Sequence, residues 1–216
     1  MIDILFQNDD FIAVDKPYGI SVHNNEDPEN LLLVVEKQLK IAKLYPVHRL
    51  DKETSGVQVF ALNEVAARKL SDEFQKKTVL KIYRGILKGQ LKQKSGAWVK
   101  SLSDKAEGRK NPAGLLKNRV LCKTLFRVLK SSNYFTSCEF SLITGRQHQI
   151  RKHAALANHV LVGDARYGDL RYNQKIASIF KIERMLLHCL QLEILGQRIE
   201  SPLPSCFLDI FNSQAK

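Results

Sequence analysis

The run Val57-Gln58-Val59-Phe60-Ala61-Leu62 constrains the fold more than any other stretch of this sequence. Successive side chains of a strand point to opposite faces. Val57, Val59 and Ala61 share one face and Gln58, Phe60 and Leu62 the other, so both faces are mostly apolar. A strand of that kind is covered on both sides and reads as central in its sheet. It leaves a small-residue turn at Thr54-Ser55-Gly56 and runs into Asn63. Asn63 is a good N-cap for a helix over 64–76, where Val65, Leu70 and Phe74 give a partly apolar face.

Around this strand the chain alternates hairpins with scattered helices. Residues 2–6 and 11–15 read as two short strands about Gln7-Asn8-Asp9-Asp10, followed by a turn at Lys16-Pro17-Tyr18-Gly19. Asp27-Pro28 predicts a helix over about 28–43, with Asp27 as N-cap and Pro28 at the first position. Pro46 favours extended chain through 46–50. Further strands are predicted over 79–87, 121–129, 135–143 and 186–194, with a short terminal strand over 206–211. Gly145 breaks the 135–143 strand before a helix over 147–157, and a short helix falls within 163–182. Lys88 to Ser95 reads as a charged turn. The stretch 103–118, with Gly108, Pro112, Gly114 and many charges, reads as a basic surface insertion. Neither GxGxxG nor GxxxxGK[ST] occurs, which argues against a doubly wound nucleotide-binding fold. The expected fold is α+β, a mixed, largely antiparallel central sheet with packed helices, in a single domain over 1–216.

Charge narrows the partner. The formal net charge is +12, but residues 1–75 carry −5, residues 76–130 carry +14 and residues 131–216 carry +3. The middle stretch is dense enough to attract a polyanion, and nucleic acid is the expected partner. An anionic membrane fits less well, because the basic residues are not confined to one face of an amphipathic helix. No apolar run approaches the length of a membrane span and no signal peptide is visible, so a cytoplasmic protein is expected. Cys122, Cys138, Cys189 and Cys206 are widely spaced without a CxxC, and read as buried free thiols.

Three polar constellations carry the candidate chemistry. The first, His48-Arg49-Leu50-Asp51-Lys52-Glu53-Thr54-Ser55-Gly56, puts a carboxylate at the end of an extended segment before a turn. Such a carboxylate is held rigidly and can face a cleft; equally, Asp51 can cap the following turn. The second, Thr144-Gly145-Arg146-Gln147-His148-Gln149-Ile150-Arg151-Lys152-His153, places Gln147 and Arg151 on one helical face and Ile150, Ala154 and Ala157 on the other. Its arginines suit a carboxylate or a phosphate, or else a solvated basic face. The third, Lys81-Ile82-Tyr83-Arg84, directs Lys81 and Tyr83 one way along a strand. A tyrosine there can stack on a base, or simply pack. Asp51 with Glu53, and Asp164 with Asp169, also make a dispersed carboxylate set of the kind that holds two metals, although no HxH, HExxH or DxD supports it.

Taken together these stretches resemble the pseudouridine synthases of the large-subunit ribosomal pseudouridine synthase A group. His48-Arg49-Leu50-Asp51 followed by Thr54-Ser55-Gly56 resembles the family signature. Asp10 through Gly19, Lys81-Ile82-Tyr83, Gly145 through Arg151 with His153, Val162-Gly163-Asp164 through Tyr167-Gly168, and Leu186-Leu187-His188 agree in the right order. The resemblance covers about residues 3–211 and the catalytic domain only, with no S4-like RNA-binding domain ahead of it. Gln147 departs from it, standing where threonine or serine is common.

The resemblance implies an enzyme that isomerises uridine in tRNA or rRNA to pseudouridine as a monomer, with no cofactor and no metal. It implies Asp51 as the catalytic aspartate, Tyr83 as the residue stacked on the uracil, and Arg151 as the basic partner of the aspartate, with Arg146 the alternative. It places Arg49, His48, Arg146, His148, Leu187 and Lys81 at the substrate. The reaction breaks N1–C1′, turns the uracil and rejoins it through C5. A carboxylate can act by attack at C1′ or by removing the 2′ proton, and the residues leave both routes open. The target base must first leave its stack.

Overall fold

The computed structural model describes residues 1–23 and 29–212; Asp27 and Pro28, expected to open the first helix, lie outside them. The strands are β1 (Ile4–Gln7), β2 (Phe11–Lys16), β3 (Tyr45–Pro46), β4 (Ser55–Ala61), β5 (Leu80–Lys88), β6 (Ser95–Leu102), β7 (Val120–Ser131), β8 (Phe135–Leu142), β9 (Leu187–Ile194) and β10 (Gln197–Glu200). The helices are α1 (Leu31–Leu39), α2 (Glu64–Lys76), α3 (Gln149–Leu156), α4 (Leu170–Phe180) and α5 (Cys206–Asn212). The chain forms two compact units, Met1–Lys81 with His188–Pro202, and Ile82–Leu187 with Leu203–Lys216. No helix among the described residues is long and apolar enough to cross a membrane.

In the first unit β4 is buried along its whole length, as its two apolar faces require. It pairs antiparallel with β2 and β3 and in parallel register with β9. Val57, Val59 and Phe60 are fully buried, and each such side chain contributes roughly 1.5–3 kcal/mol. The described part of the first helix starts at Leu31 rather than Pro28. Its N-cap is Asn30, whose side chain accepts the Leu33 N–H. Asn63 caps α2 as expected, accepting the Ala66 N–H at 2.8 Å.

Gly56 decides how closely β4 and β9 approach. Its φ is +108°, and a Cβ there would lie 2.1 Å from the Cys189 carbonyl oxygen. Backbone cannot yield as a flexible side chain does. Gly56→Ala is therefore expected to destabilise the protein by at least ~2 kcal/mol. Urea unfolding checks this; a midpoint within error of wild type would show that the two strands separate without penalty.

In the second unit β5, β8, β7 and β6 form an antiparallel run in that order. Ile86, Phe135, Val162, Ile176, Ile182, Leu186, Phe207, Ile210 and Phe211 make one buried cluster. Among the described residues β4–β9 pairs in parallel, and β1–β2, β2–β4, β3–β4, β9–β10, β5–β8, β6–β7 and β7–β8 pair antiparallel. The expected α+β fold with a largely antiparallel sheet is what forms.

Several expectations fail locally, and β10, paired with β9, was not foreseen. Residues 206–211 form a helix, not a strand: Phe207, Ile210 and Phe211 recur at helical spacing and bury together. The strand β6 was not foreseen, because it is an edge strand with mostly exposed residues and no alternating apolar pattern. And α3 begins at Gln149, two residues late. The chain turns at His148, whose φ of +56° is rare for a non-glycine residue, and not at Gly145, which keeps an ordinary backbone. Gln147 therefore precedes the helix and shares no helical face with Arg151.

Candidate active site

The Asp51 turn is clamped from behind. Asp51 is half-buried, and its carbonyl accepts the Thr54 N–H at 3.0 Å. The Lys16 side chain is fully buried at the end of β2. Its Nζ donates to the carbonyls of Pro17 at 3.0 Å, Lys52 at 3.1 Å and Thr54 at 2.7 Å. A buried ammonium is costly unless its donors are satisfied, and three carbonyls match its three hydrogens. Lys16 thus fixes the backbone on both sides of Glu53, one and three residues beyond Asp51.

A second clamp holds the residues before Asp51. Gln58, the polar member of β4, accepts the Leu50 N–H and donates to the His48 and Val59 carbonyls. The His48 ring accepts the Val59 N–H on Nε2 at 3.0 Å and stacks on Phe74 at 4.7 Å. An accepting Nε2 puts the proton on Nδ1. Burial, reinforced by the Lys81 charge, pushes the His48 pKa down to about 3, so the ring is neutral. Arg49, between these pinned residues, is exposed. His23, Pro46, Val47, His48 and Arg49 line an open groove of about 370 Å³. Lys81 lies 5.5 Å from the Phe74 ring centre, and burial lowers its pKa.

The remaining candidates belong to the second unit. Tyr83 is buried on β5, opposite Phe140 of β8. Two residues along, Gly85 leaves no room for a side chain. A Cβ there would lie 2.8 Å from the Phe140 ring, 2.9 Å from Leu161 and 3.4 Å from Leu187, so Leu187 packs against the backbone beside Tyr83.

Arg151 is 1% exposed and grips Asp164 in a fork, Nε to Oδ2 at 2.8 Å and Nη2 to Oδ1 at 2.9 Å. Asp164 Oδ1 also accepts the N–H groups of Arg166 and Tyr167. The Tyr167 ring lies 5.4 Å from the guanidinium, and its hydroxyl is 3.1 Å from His148 Nδ1. Arg146 differs: it is exposed and pairs with exposed Asp104 at 3.1 Å.

The α3 helix carries no solvated basic face. Gln149, Arg151, Lys152 and His153 are all buried. Gln149 bonds Thr144, Arg146, Lys123 and Thr124, and the Lys152 ammonium donates to the Ser103 and Lys105 carbonyls. The same clamp docks the 103–118 insertion onto α3, assisted by Asp104 with Arg146 and by Ala106 with Arg166.

These engagements bear on the dispersed two-metal alternative. Asp164 is committed to Arg151, and Asp169 caps α4 at Tyr172 and pairs with Arg109. Among the described residues no three His, Cys, Asp or Glu side chains gather as metal ligands do.

Comparison with known proteins decides the family. Residues 10–156 match the RNA pseudouridylate synthase family, a span that includes Asp51, Tyr83, Arg146, His148 and Arg151. The chain is 32% identical over 200 residues to tRNA pseudouridine synthase C of Haemophilus ducreyi, covering 87% of this chain and 82% of that protein. The chain belongs to the RNA pseudouridylate synthase family. It is 35% identical over 222 residues to ribosomal large subunit pseudouridine synthase C of Rickettsia felis, covering 96% of this chain and 70% of that one. The fold matches the solved structure of human RNA pseudouridylate synthase domain containing 4, with a TM-score of 0.81 at 24% identity over 98% of this chain and 92% of that one.

The protein is therefore an RNA pseudouridine synthase, an isomerase that converts uridine in RNA to pseudouridine. The structure gathers His48, Arg49, Asp51 and Lys81 in the first unit and Tyr83, Arg146, His148, Arg151 and Leu187 in the second. Sequence reasoning missed the partners that hold these side chains. Lys16 ending an apolar strand and Gln58 inside one were visible polar exceptions; Asp164 and Gly85 gave no local signal of their partners.

Proposed function

We propose that Asp51 is the carboxylate that acts on the ribose of the target uridine, and that this uridine lies in a transfer RNA. One observation carries the Asp51 assignment: a fully buried lysine and a buried glutamine are both engaged with the backbone around one half-buried aspartate. Such fixing suits a group that meets a single ribose in a single geometry. A turn that merely needed capping has no use for it. Tyr83 supplies a flat ring for the uracil. Arg151, oriented by Asp164, is the basic residue of the catalytic set.

Arg49, Arg146, His148, Lys81 and Leu187 serve the substrate directly. His48 serves it by holding Arg49 in place, since its ring is bound to β4. The stretch 76–130, with its net +14, grips backbone phosphates and positions the RNA without reading its sequence. The chain acts as a single catalytic domain of the large-subunit synthase A type. It works in the cytoplasm as a monomer without metal or cofactor.

The transfer-RNA reading is supported by relatives named tRNA pseudouridine synthase C, including those of Haemophilus ducreyi and of Yersinia pestis at 31% identity over 90% of the chain. Ribosomal RNA is the second reading, favoured by the Rickettsia felis relative. Mapping pseudouridine across total RNA from cells with and without the protein separates them. The expected result is one or more transfer-RNA sites lost on deletion and restored by the purified protein in vitro. Sites lost only from ribosomal RNA overturn this reading in favour of the second.

A further inference from the structure

A connected set of buried polar groups lies behind the Asp51 turn in the first unit, and the roles assigned so far leave it unused. Ser55, first residue of β4, places Oγ 2.8 Å from Nδ1 of His188. Nε2 of the same ring lies 3.1 Å from Oγ of Ser201. Ser201 donates its hydroxyl hydrogen to Oδ1 of Asp15 at 2.8 Å. Ser55, His188 and Ser201 are 3%, 1% and 2% exposed, so none of them can touch an RNA.

The directions of these bonds follow from counting hydrogens. A serine hydroxyl has one. Ser201 gives its own to Asp15, so it accepts from His188, and that puts the imidazole proton on Nε2. In the neutral ring Nδ1 is then the acceptor for the Ser55 hydroxyl. The bonds run one way, from Ser55 through His188 and Ser201 to Asp15.

The two ends of this chain meet the Asp51 turn. Ser55 follows Thr54, whose N–H closes the turn onto the Asp51 carbonyl. Asp15 precedes Lys16, which binds the Thr54 and Lys52 carbonyls. The last two residues of β2 therefore hold one turn by two routes. Ser55 and Gly56 also pair in register with His188 and Cys189, so the ring is fixed by the same ladder it reinforces. Lys16 sets where the turn's carbonyls sit. The Ser55 bond sets how the first residue of β4 is rotated, and hence the direction in which the turn leaves the strand.

We propose that the Ser55–His188–Ser201–Asp15 chain is a positioning device for Asp51, with His188 as its central positioning residue. This rests on the reading of Asp51 as the catalytic carboxylate. A displacement of about 1 Å in a reacting group can cost on the order of a hundred-fold in rate, so small rotations of the turn are enough to matter.

The test uses the full chain and the serine ends of the relay, because replacing His188 itself risks the fold. Ser201→Ala, Ser55→Ala and the double variant are compared with wild type for kcat, for KM toward the RNA and for thermal midpoint. Ser201→Ala is expected to lower kcat by roughly ten-fold with KM within about two-fold, because the RNA-binding surface is untouched. The double variant is expected to fall no further than the worse single one, since either change breaks the same chain. Wild-type kcat in either folded single variant, additive losses, or a rise in KM alone would each overturn the proposal. Should Ser201→Ala fail to fold, Ser55→Ala decides by the same kcat and KM criteria. The Asp51 reading fails separately, if Asp51→Asn keeps turnover. If Asp51→Asn is inactive while both serine variants are normal, only the positioning device is refuted.

Discussion

Replacing Asp51 by asparagine is expected to abolish pseudouridine formation, by at least ~10³-fold in kcat, while RNA affinity stays within about three-fold. Asparagine keeps the shape of the side chain and removes its charge. The bonds from Lys16 and Gln58 to backbone atoms of Lys52, Thr54, His48 and Leu50 do not depend on that charge. The backbone should stay where it is, and the thermal midpoint with it. Either route open to the carboxylate, attack at C1′ or removal of the 2′ proton, needs the anion. Single-turnover assays with pseudouridine quantified by mass spectrometry measure the first expectation, and filter binding the second. Turnover within ten-fold of wild type would remove Asp51 from the chemistry. A large loss of affinity would instead make it a binding residue.

The second large effect concerns stability. Asp164→Ala is expected to cost about 3–5 kcal/mol, the usual penalty for removing one partner of a buried ion pair. Arg151, at 1% exposed, would lose its fork partner, and the Arg166 and Tyr167 N–H groups would lose the same acceptor. For a chain of this size that corresponds to a drop of roughly 10 °C or more in thermal midpoint. Asp164→Asn should lose less, because it keeps an acceptor oxygen. A melt of the alanine variant within about 2 °C of wild type would mean that the guanidinium reaches solvent or another acceptor without difficulty. A stable variant with impaired turnover would show that Asp164 orients Arg151 without stabilising the fold.

Elements with strong local signals were legible from residues alone. The strand β4 announced itself by apolar residues on both faces and is buried throughout. The helix α2 announced itself by Asn63 and a partly apolar face, and it runs Glu64–Lys76 as expected. Where a run is short, the signal fails. Residues 206–211 hold too few turns to separate a period of two from one of 3.6, and packing of Phe207, Ile210 and Phe211 chose the helix. The start of α3 was misplaced because a histidine, not the neighbouring glycine, adopts the left-handed turn. That position is fixed by what surrounds it: Gln149 reaches back to the Arg146 N–H, and His148 meets Tyr167.

By itself the sequence determined many of the elements, the family and the identities of Asp51, Tyr83 and Arg151 as candidates, because periodicity, turn chemistry and motif spacing are local properties of a chain. Only the tertiary structure decided which polar groups are buried and what each one holds. Arg151, Lys152 and His153 look like a solvated basic turn in one dimension, yet all three are sealed in α3, with Arg151 on Asp164 and Lys152 on the backbone of residues 103–105. Lys16 finds the Lys52 and Thr54 carbonyls 36 and 38 residues away. The reason is physical: a buried charge survives only with partners in correct geometry, and those partners are brought together by the folding of distant segments. Asp51 shows both halves of this. Its identity is written in the sequence, and its fixed position is made by the residues that fold behind it.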